Sequence, residues 1–437
     1  MLPREKWAVA IKDFHERGIP ELVERESAIP KEIPLKRAIS IIGPRRAGKT
    51  YTMFQLIKGL LEEGVDVSRI VYINFERTEL EGASSRELVG MMEAFYELYP
   101  QNKVKKTWLF LDEIQNVEKW ETFVRTVLDS GNVQVFISGS SSKLLSREIA
   151  TSMRGRTISH LVLPFSFIDY LKKEGTGIQK IKAEAYLSTS ERANVINKLR
   201  SYMESGGYPE VIIYPQEKEK ILQDIVETTV YRDVVERYKI RNTRLLKLLI
   251  KSLVNSVARE FSIHKFYNFV RSMGIKASKN SLYNYADALN DVFFVFPINK
   301  FSRSYKKAEQ SLPKIYLVDN GILTSNGIND YGRLLENLVF VELTRRGKNI
   351  SYYKSADGKE VDFAILEKNR VKELIQVAYS LEDFNTRERE IKPLLKASKE
   401  LKCNNLTIIT WSEDKEEVAK GKKIIQVPLW KWLLEKS

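Results

Sequence analysis

Residues 38–50 read Ala38-Ile39-Ser40-Ile41-Ile42-Gly43-Pro44-Arg45-Arg46-Ala47-Gly48-Lys49-Thr50, and the fold turns on the change of character at Gly43. The first five residues are a short, almost wholly apolar run, the pattern of a strand buried on both faces. The next eight match G-x-x-x-x-G-K-[ST]. From 51 to 63 the apolar residues recur at helical spacing. Strand, glycine loop and helix in that order are the setting in which this pattern binds phosphate. Glycine lets backbone N–H groups converge on phosphate oxygens with no Cβ in the way. The start of the helix adds positive potential at the same place. Lys49 would reach the β- and γ-phosphates, and the Thr50 hydroxyl would bind Mg2+. The candidate nucleotide-binding set is Gly43, Pro44, Arg45, Arg46, Ala47, Gly48, Lys49 and Thr50.

Further strands are expected at 71–75, 107–111 and 134–138, with a helix over 86–98. Strands alternating with helices predict a parallel α/β sheet covered on both faces. The third strand, Thr107-Trp108-Leu109-Phe110-Leu111, runs into Asp112-Glu113. Asp112 would hold the metal directly or through water, and Glu113 would polarise the attacking water. The competing reading is an ordinary strand that ends in two acids. The fourth strand ends on Ser138, a polar residue placed to sense the γ-phosphate; the alternative is a Ser/Gly-rich loop and helix cap. Arg154 and Arg156, in Met153-Arg154-Gly155-Arg156, are candidates for an arginine offered to a neighbouring subunit's γ-phosphate, which implies a homo-oligomer. Otherwise both are surface salt-bridge residues.

The chain has 437 residues, which suggests about three domains. Hydrophobic residues make up 43% and charged residues 29%, which excludes a collagen-like or mostly disordered chain. No apolar run approaches the roughly 18 residues of a membrane span. Residues 1–18 have neither an apolar core nor a small-residue cleavage site, so a cytoplasmic protein without a membrane partner is expected. Cys403 is the one cysteine, which rules out an internal disulfide, and only His15, His160 and His264 stand beside it for a zinc site.

These motifs carry a resemblance. GPRRAGKT, INFER, LFLDEIQNV, ISGSSS, MRGR and LPFSF, in this order, resemble the archaeal and bacterial family of AAA+-like ATPases of unassigned role. The resemblance spans essentially the whole chain and implies three parts. A P-loop ATPase domain would occupy 1–165, a helical winged-helix domain 166–330 and a PD-(D/E)XK nuclease-like domain 331–437. The fold class expected is therefore α/β: an AAA+-like parallel sheet, then a helical winged-helix domain, then an α/β restriction-endonuclease-like domain. The resemblance also implies ATP as the nucleotide; no guanine-specifying Asn/Thr-Lys-x-Asp motif is evident.

The formal net charge is +14, and its distribution is uneven. Residues 232–314 hold 17 Lys/Arg against 6 Asp/Glu, whereas 330–437 hold 21 against 18. The middle of the chain is therefore the part built to face negative charge, unless it is simply a solvated basic surface. Residues 221–255 read as helical, as do 262–273 and 281–291, followed by a β-like run at 292–296. The latter two helices fit a helix-turn-helix, with Lys276, Lys279 and Asn280 placed to reach phosphates and base edges of DNA. Arg303, Lys306 and Lys307 would lie on the wing. A winged domain that packs on protein is the alternative. Gly206-Gly207-Tyr208-Pro209-Glu210-Val211 resembles the family at the start of this region and otherwise reads as a structural turn.

In the last part, a helix and then strands are expected over 334–346, 350–353, 361–366, 373–378, 406–410 and 424–427. Glu336, Asp362 and Gln376 resemble the nuclease pattern of a helix Glu, a strand Asp and a final (Glu/Gln)-x-Lys, with Ala378 at the lysine position. A lysine from elsewhere, such as Lys354 or Lys372, would have to substitute. A nuclease-like fold that no longer cuts is expected. The overall expectation is a Mg2+-dependent ATPase that couples turnover to DNA. A nucleotide-controlled switch with a protein partner and an ATP-gated nuclease are the alternatives.

Overall fold

The apolar runs of the first part assemble, among the described residues, into one five-stranded parallel sheet. Its strands are β1 (Ala38–Ile42), β2 (Ile70–Asn74), β3 (Thr107–Asp112), β4 (Val133–Gly139) and β5 (Thr157–Leu161), in spatial order β2-β3-β4-β1-β5. The structure is a computed structural model and describes residues 3–26, 28–140, 153, 155–177 and 187–435. The chain divides into two compact units, Met1–Leu163 and Pro164–Ser437.

In the first unit β1, β3 and β4 are buried at every position, as their apolar runs require. The helix Lys49–Glu62 packs Met53, Leu56, Ile57 and Leu60 against Ile39, Ile41, Phe110 and Phe136 of the sheet. The Phe110 and Phe136 rings stack at 4.4 Å, fixing neighbouring strands side by side. Because all five strands are parallel, Gly43, Asp112 and Ser138 all fall at the sheet's carboxyl edge, where open α/β sheets bind ligands. Three longer elements of this unit were not anticipated, among them the amphipathic helix Trp120–Ser130, which buries Trp120, Phe123, Val124, Val127 and Leu128. β5 reads Thr-Ile-Ser-His-Leu and is half-buried throughout, as suits an edge strand without a continuous apolar run. The helix Arg4–Arg17 presents only Trp7, Ile11 and Phe14 to the core.

The second unit begins with helices. The stretch expected as helical over 221–255 is divided in three. Helix Lys218–Thr228 widens into the π-helical turns Thr229–Glu236, and the chain then breaks at Lys239, whose φ is 51°. Helix Thr243–Asn255 follows, capped by the Asn242 side chain, which accepts from the Leu245 N–H at 3.0 Å. Helices Ile263–Ser272 and Lys279–Asp291 pair, each capped by a serine, Ser262 and Ser278. The β-like run at 292–296 starts late: Phe293 has φ 59° and turns the chain, so strand β6 covers only Val295–Ile298. It pairs antiparallel with β7 (Lys314–Leu317), and the connection carries the short helix Tyr305–Glu309.

Beyond the helix Tyr331–Arg345 lies a six-stranded mixed sheet in order β12-β13-β11-β10-β9-β8. Strands β8 (Asn349–Lys354), β9 (Glu360–Glu367) and β10 (Arg370–Val377) form an antiparallel meander. Helix Phe384–Leu401 crosses to β11 (Leu406–Thr410), which is parallel to β10. β13 (Lys422–Pro428) and β12 (Lys415–Ala419) complete the sheet. The crossing helix was missed because charged residues interrupt its apolar spacing and it carries Pro393. Its apolar face is nonetheless real, with Ile391, Leu394 and Ala397 buried against Leu374, Leu406 and Ile408. β12 is exposed and charged, so it left no apolar signal.

Candidate functional site

At the carboxyl edge of the parallel sheet, the Asp112 carboxylate is completely buried and accepts three hydroxyl hydrogen bonds. Thr50 Oγ1 donates to Oδ2 at 2.7 Å and Tyr72 OH to the same oxygen at 2.9 Å. Ser138 Oγ donates to Oδ1 and accepts the Glu113 N–H at 2.8 Å. The Ser138 hydroxyl therefore locks the two acids to each other. Burial pushes the Asp112 carboxyl up, the adjacent Glu113 adds to this, and the three hydroxyls pull it back. Burial also acts to raise Glu113, but Lys49, the Gln115 amide and Arg45 outweigh it, so its net direction is down. Glu113 is thus held ionised. Its backbone sits in the left-handed region at φ 53°, turning its side chain back toward the loop. Glu113 Oε1 lies 3.5 Å from Lys49 Nζ.

The loop 43–50 is closed on itself. Lys49 Nζ donates to the carbonyls of Pro44 at 3.1 Å and Gly43 at 3.3 Å. Gly48 has φ 94° and starts the helix, whose first-turn N–H groups have no partner within the helix. At Gly43 a Cβ would stand 2.0 Å from the Val162 carbonyl oxygen, so only glycine fits beside the end of β5. Arg45 pairs with Glu76 at 3.3 Å. A hydroxyl and a carboxylate 2.7 Å apart are hard oxygen donors that fit Mg2+, and the glycine cradle fits phosphate.

Sequence reasoning missed two contributors. Tyr72 was legible only as part of a strand, and its hydroxyl emerges at Asp112 through the pairing of β2 with β3. Arg25, in the extended segment before β1, straps the loop from outside. It donates to the Ala47 carbonyl at 2.9 Å and to that of Leu163 at 2.5 Å. No motif marks it.

Arg154 lies outside the described residues. Arg156 precedes β5, at the amino edge of the sheet, and pairs with Asp129 at 2.6 Å on the surface. It does not face the nucleotide loop of its own chain.

In the second unit Lys276, Lys279, Asn280, Arg303, Lys306 and Lys307 are all exposed, and none of the five cations has an ion-pair partner among the described residues. Lys279 and Arg271 both lie over the Tyr267 ring, at 5.5 and 5.8 Å. The wing residues sit on the connection between β6 and β7 rather than on a tight hairpin, Lys306 and Lys307 within its short helix. The basic window carries further exposed cations that were not singled out from sequence. Arg244, Lys247 and Lys251 are exposed on the helix Thr243–Asn255, while Leu245, Leu246 and Leu249 are buried beneath them. Among the described residues these three also lack ion-pair partners, and Lys247 lies against the Tyr231 ring at 5.3 Å.

Glu336 and Asp362 come together, but not around either lysine expected. Lys354 pairs with Glu260 at 2.8 Å and Glu360 at 3.4 Å, and Lys372 with exposed Glu367 at 3.2 Å. The lysine at the centre is Lys314, at the start of β7. Its Nζ is 2.9 Å from Glu336, 2.9 Å from Glu360 and 3.0 Å from Asp362. Tyr316 OH donates to Glu336 at 2.6 Å. Burial and Asp362 raise the Glu336 carboxyl to about 7 against the pull of Lys314. Gln376 donates to Glu390 Oε2 at 2.6 Å and accepts weakly from the Asp362 N–H at 3.4 Å. These residues do not fit a nuclease metal: an ammonium already occupies the space between the carboxylates. Among the described residues no group of three or more His, Cys, Asp or Glu side chains is arranged to hold a metal ion.

Residues 35–171 match the family model described as AAA domain. Residues 173–331 and 331–430 match two models described as domains of unknown function, DUF8612 and DUF4143. Residues 35–171 are therefore an AAA+-like P-loop ATPase domain, most of which lies in the first unit. The chain is 39% identical over 431 residues to the uncharacterized protein MJ1544 of Methanocaldococcus jannaschii, covering 95% of this chain and 93% of that one. It is 29% identical over 378 residues to an uncharacterized protein of Haemophilus influenzae, covering 84% and 90%. Among solved structures, it resembles the Aeropyrum pernix ORC1 protein in complex with DNA at 12% identity, covering 76% of this chain and 94% of that chain. The TM-score is 0.28, too loose a superposition to carry anything further.

Proposed function

We propose that this chain, which belongs to the same family as the uncharacterized protein MJ1544 of Methanocaldococcus jannaschii, binds and hydrolyses ATP with Mg2+ and couples turnover to contact with DNA. The observation that carries the ATPase reading is the buried cluster at the loop mouth: Thr50 and Tyr72 on one Asp112 oxygen, Ser138 on the other, and Glu113 beside Lys49. When bound, Mg2+ would be held by Thr50 and Asp112 and would offset charge on the phosphates. Lys49 is held at the loop by two weak carbonyl contacts, which a phosphate would replace with charge-assisted bonds. Glu113, ionised and next to the γ-phosphate position, orients the attacking water and draws off its proton. Gln115 holds the second Glu113 oxygen at 2.5 Å and fixes its direction.

For DNA, support comes from exposed cations of residues 232–314 that have no ion-pair partner among the described residues, on the helix pair, on the β6–β7 connection and on the helix Thr243–Asn255. The helix pair and two-stranded sheet suit a winged helix, and Ser278 caps the second helix with Lys279 and Asn280 in its first turn. A protein partner is the second reading, favoured by exposed Phe269, Met273 and Tyr283 on the same helix pair. The finger role of Arg156 or Arg154, in a homo-oligomer, belongs to the same proposal.

The test is ATP binding and turnover by the purified chain. Lys49→Ala is expected to lose about 100-fold or more in turnover together with tight nucleotide binding. Glu113→Gln is expected to keep binding and lose turnover by a similar factor. Wild-type rates in both variants would exclude this mechanism.

A further inference from the structure

The carboxylates of the second unit are arranged around an ammonium group. Lys314 is 3% exposed at its side chain, and its Nζ meets three acids from two elements: Glu336 of the helix Tyr331–Arg345, and Glu360 and Asp362 of β9. The ammonium donates to Glu336 at 2.9 Å and to Asp362 at 3.0 Å, and Glu360 stands beside it as an ion pair at 2.9 Å. Those lengths are hydrogen-bond lengths. Oxygens that bind Mg2+ stand at about 2.0–2.1 Å and those that bind Ca2+ at about 2.3–2.6 Å, so the acids are spread to suit nitrogen. The other Asp362 oxygen is also taken, by the Val377 N–H at 3.0 Å. Glu336 Oε1 is shared with Tyr316 OH. The strand position where the nuclease pattern places its lysine is Ala378, buried and uncharged. Three carboxylates gathered in one buried place need a cation, and a buried pair that loses one member costs several kcal/mol.

We propose that the Lys314 ammonium stands where a divalent cation would stand in a metal-dependent nuclease, so that this cluster is closed to metal as built and becomes a divalent-cation site only when the Lys314 side chain is removed. The cation arrives from β7, ahead of the helix that supplies Glu336, and ties the two family-matched segments of the second unit together. Cutting of nucleic acid at this cluster is accordingly not expected. This inference is independent of the ATPase reading.

The probe is Mn2+ alone, titrated into the full chain without nucleotide and followed by electron paramagnetic resonance, with thermal unfolding alongside. In the wild-type background, Asp362→Asn is expected to leave the number of bound Mn2+ unchanged. Lys314→Ala is expected to gain one Mn2+ per chain and to melt higher with Mn2+ than without. Both gains are expected to vanish in Lys314→Ala/Asp362→Asn. Lys314→Met, close in volume, serves if the alanine variant does not fold. Mn2+ binding by wild type that Asp362→Asn removes would overturn the proposal. So would a folded Lys314→Ala or Lys314→Met that gains no Mn2+. If neither variant folds, the wild-type comparison with Asp362→Asn decides alone.

Discussion

At the scale of single residues, the nucleotide site turns on how one carboxylate is satisfied. Asp112 takes no direct ion pair among the described residues; three hydroxyls hold it, and Tyr72 is the one that no motif announces. Tyr72→Phe removes one donor from a buried carboxylate, at about 1–2 kcal/mol. The sign on pH follows from that loss. The Tyr72 hydroxyl lowers the Asp112 carboxyl, so without it the group protonates at higher pH. The acidic limb of the pH–rate profile is therefore expected to move to higher pH in Tyr72→Phe, with the Mg2+ requirement rising several-fold. An unchanged limb would mean that Tyr72 does not hold Asp112 in the working enzyme. Lys49, Thr50, Asp112 and Glu113 are candidates by spacing, and the structure brings their side chains together at the carboxyl edge of the sheet. Tyr72 and Arg25 could not be named from spacing, because each arrives through the pairing or path of the backbone.

At the scale of elements, close backbone approach governs the second unit. The turn at Gly206-Gly207 ends the helix Thr189–Ser205. The Gly207 N–H donates to Asp319 at 2.6 Å, and its carbonyl accepts from the Phe165 N–H at 2.7 Å. A Cβ on Gly207 would stand 2.3 Å from the Phe165 carbonyl oxygen, and backbone cannot step aside as a side-chain end can. Gly207→Ala is expected to cost the second unit about 2–3 kcal/mol in denaturant unfolding. A loss below about 0.5 kcal/mol would show that the approach is not tight. From sequence this segment was readable as a turn, but its reason, packing against residues more than forty positions away in either direction, was not. The same limit explains the edge strand β5 and the crossing helix Phe384–Leu401. Local pattern reports how apolar a segment is, and these two are buried on one side only by partners far away in sequence. Conversely, β1, β3 and β4 were legible almost to the residue because burial on both faces demands an unbroken apolar run.

At the scale of the whole molecule, the +14 belongs chiefly to one window, and its exposed cations are carried by more than one element. Arg303, Lys306 and Lys307 of the β6–β7 connection and the stripe Arg244, Lys247 and Lys251 are exposed on different elements. If phosphates bind both, neutralising each set of three is expected to reduce the slope of log affinity against log salt by about 2–3, measured on duplex DNA. A change from only one set would assign the contact to that surface. The buried cluster around Lys314 shows the opposite use of charge: its ammonium lies among Glu336, Glu360 and Asp362, away from solvent. The sequence could show that a lysine was missing from its expected strand position, but not that one from β7 fills the centre.

DNA-coupled ATP turnover is tested most directly by the rate of phosphate release by the full chain with Mg2+-ATP. It should be taken with no DNA and with single-stranded, duplex and branched DNA, for wild type, Glu113→Gln and the variant neutralised at Arg303, Lys306 and Lys307. The account predicts wild-type turnover that DNA raises several-fold, a Glu113→Gln rate at background throughout, and a neutralised variant that keeps its basal rate but loses part or all of the stimulation. Turnover indifferent to every DNA, or a Glu113→Gln rate equal to wild type, would contradict it.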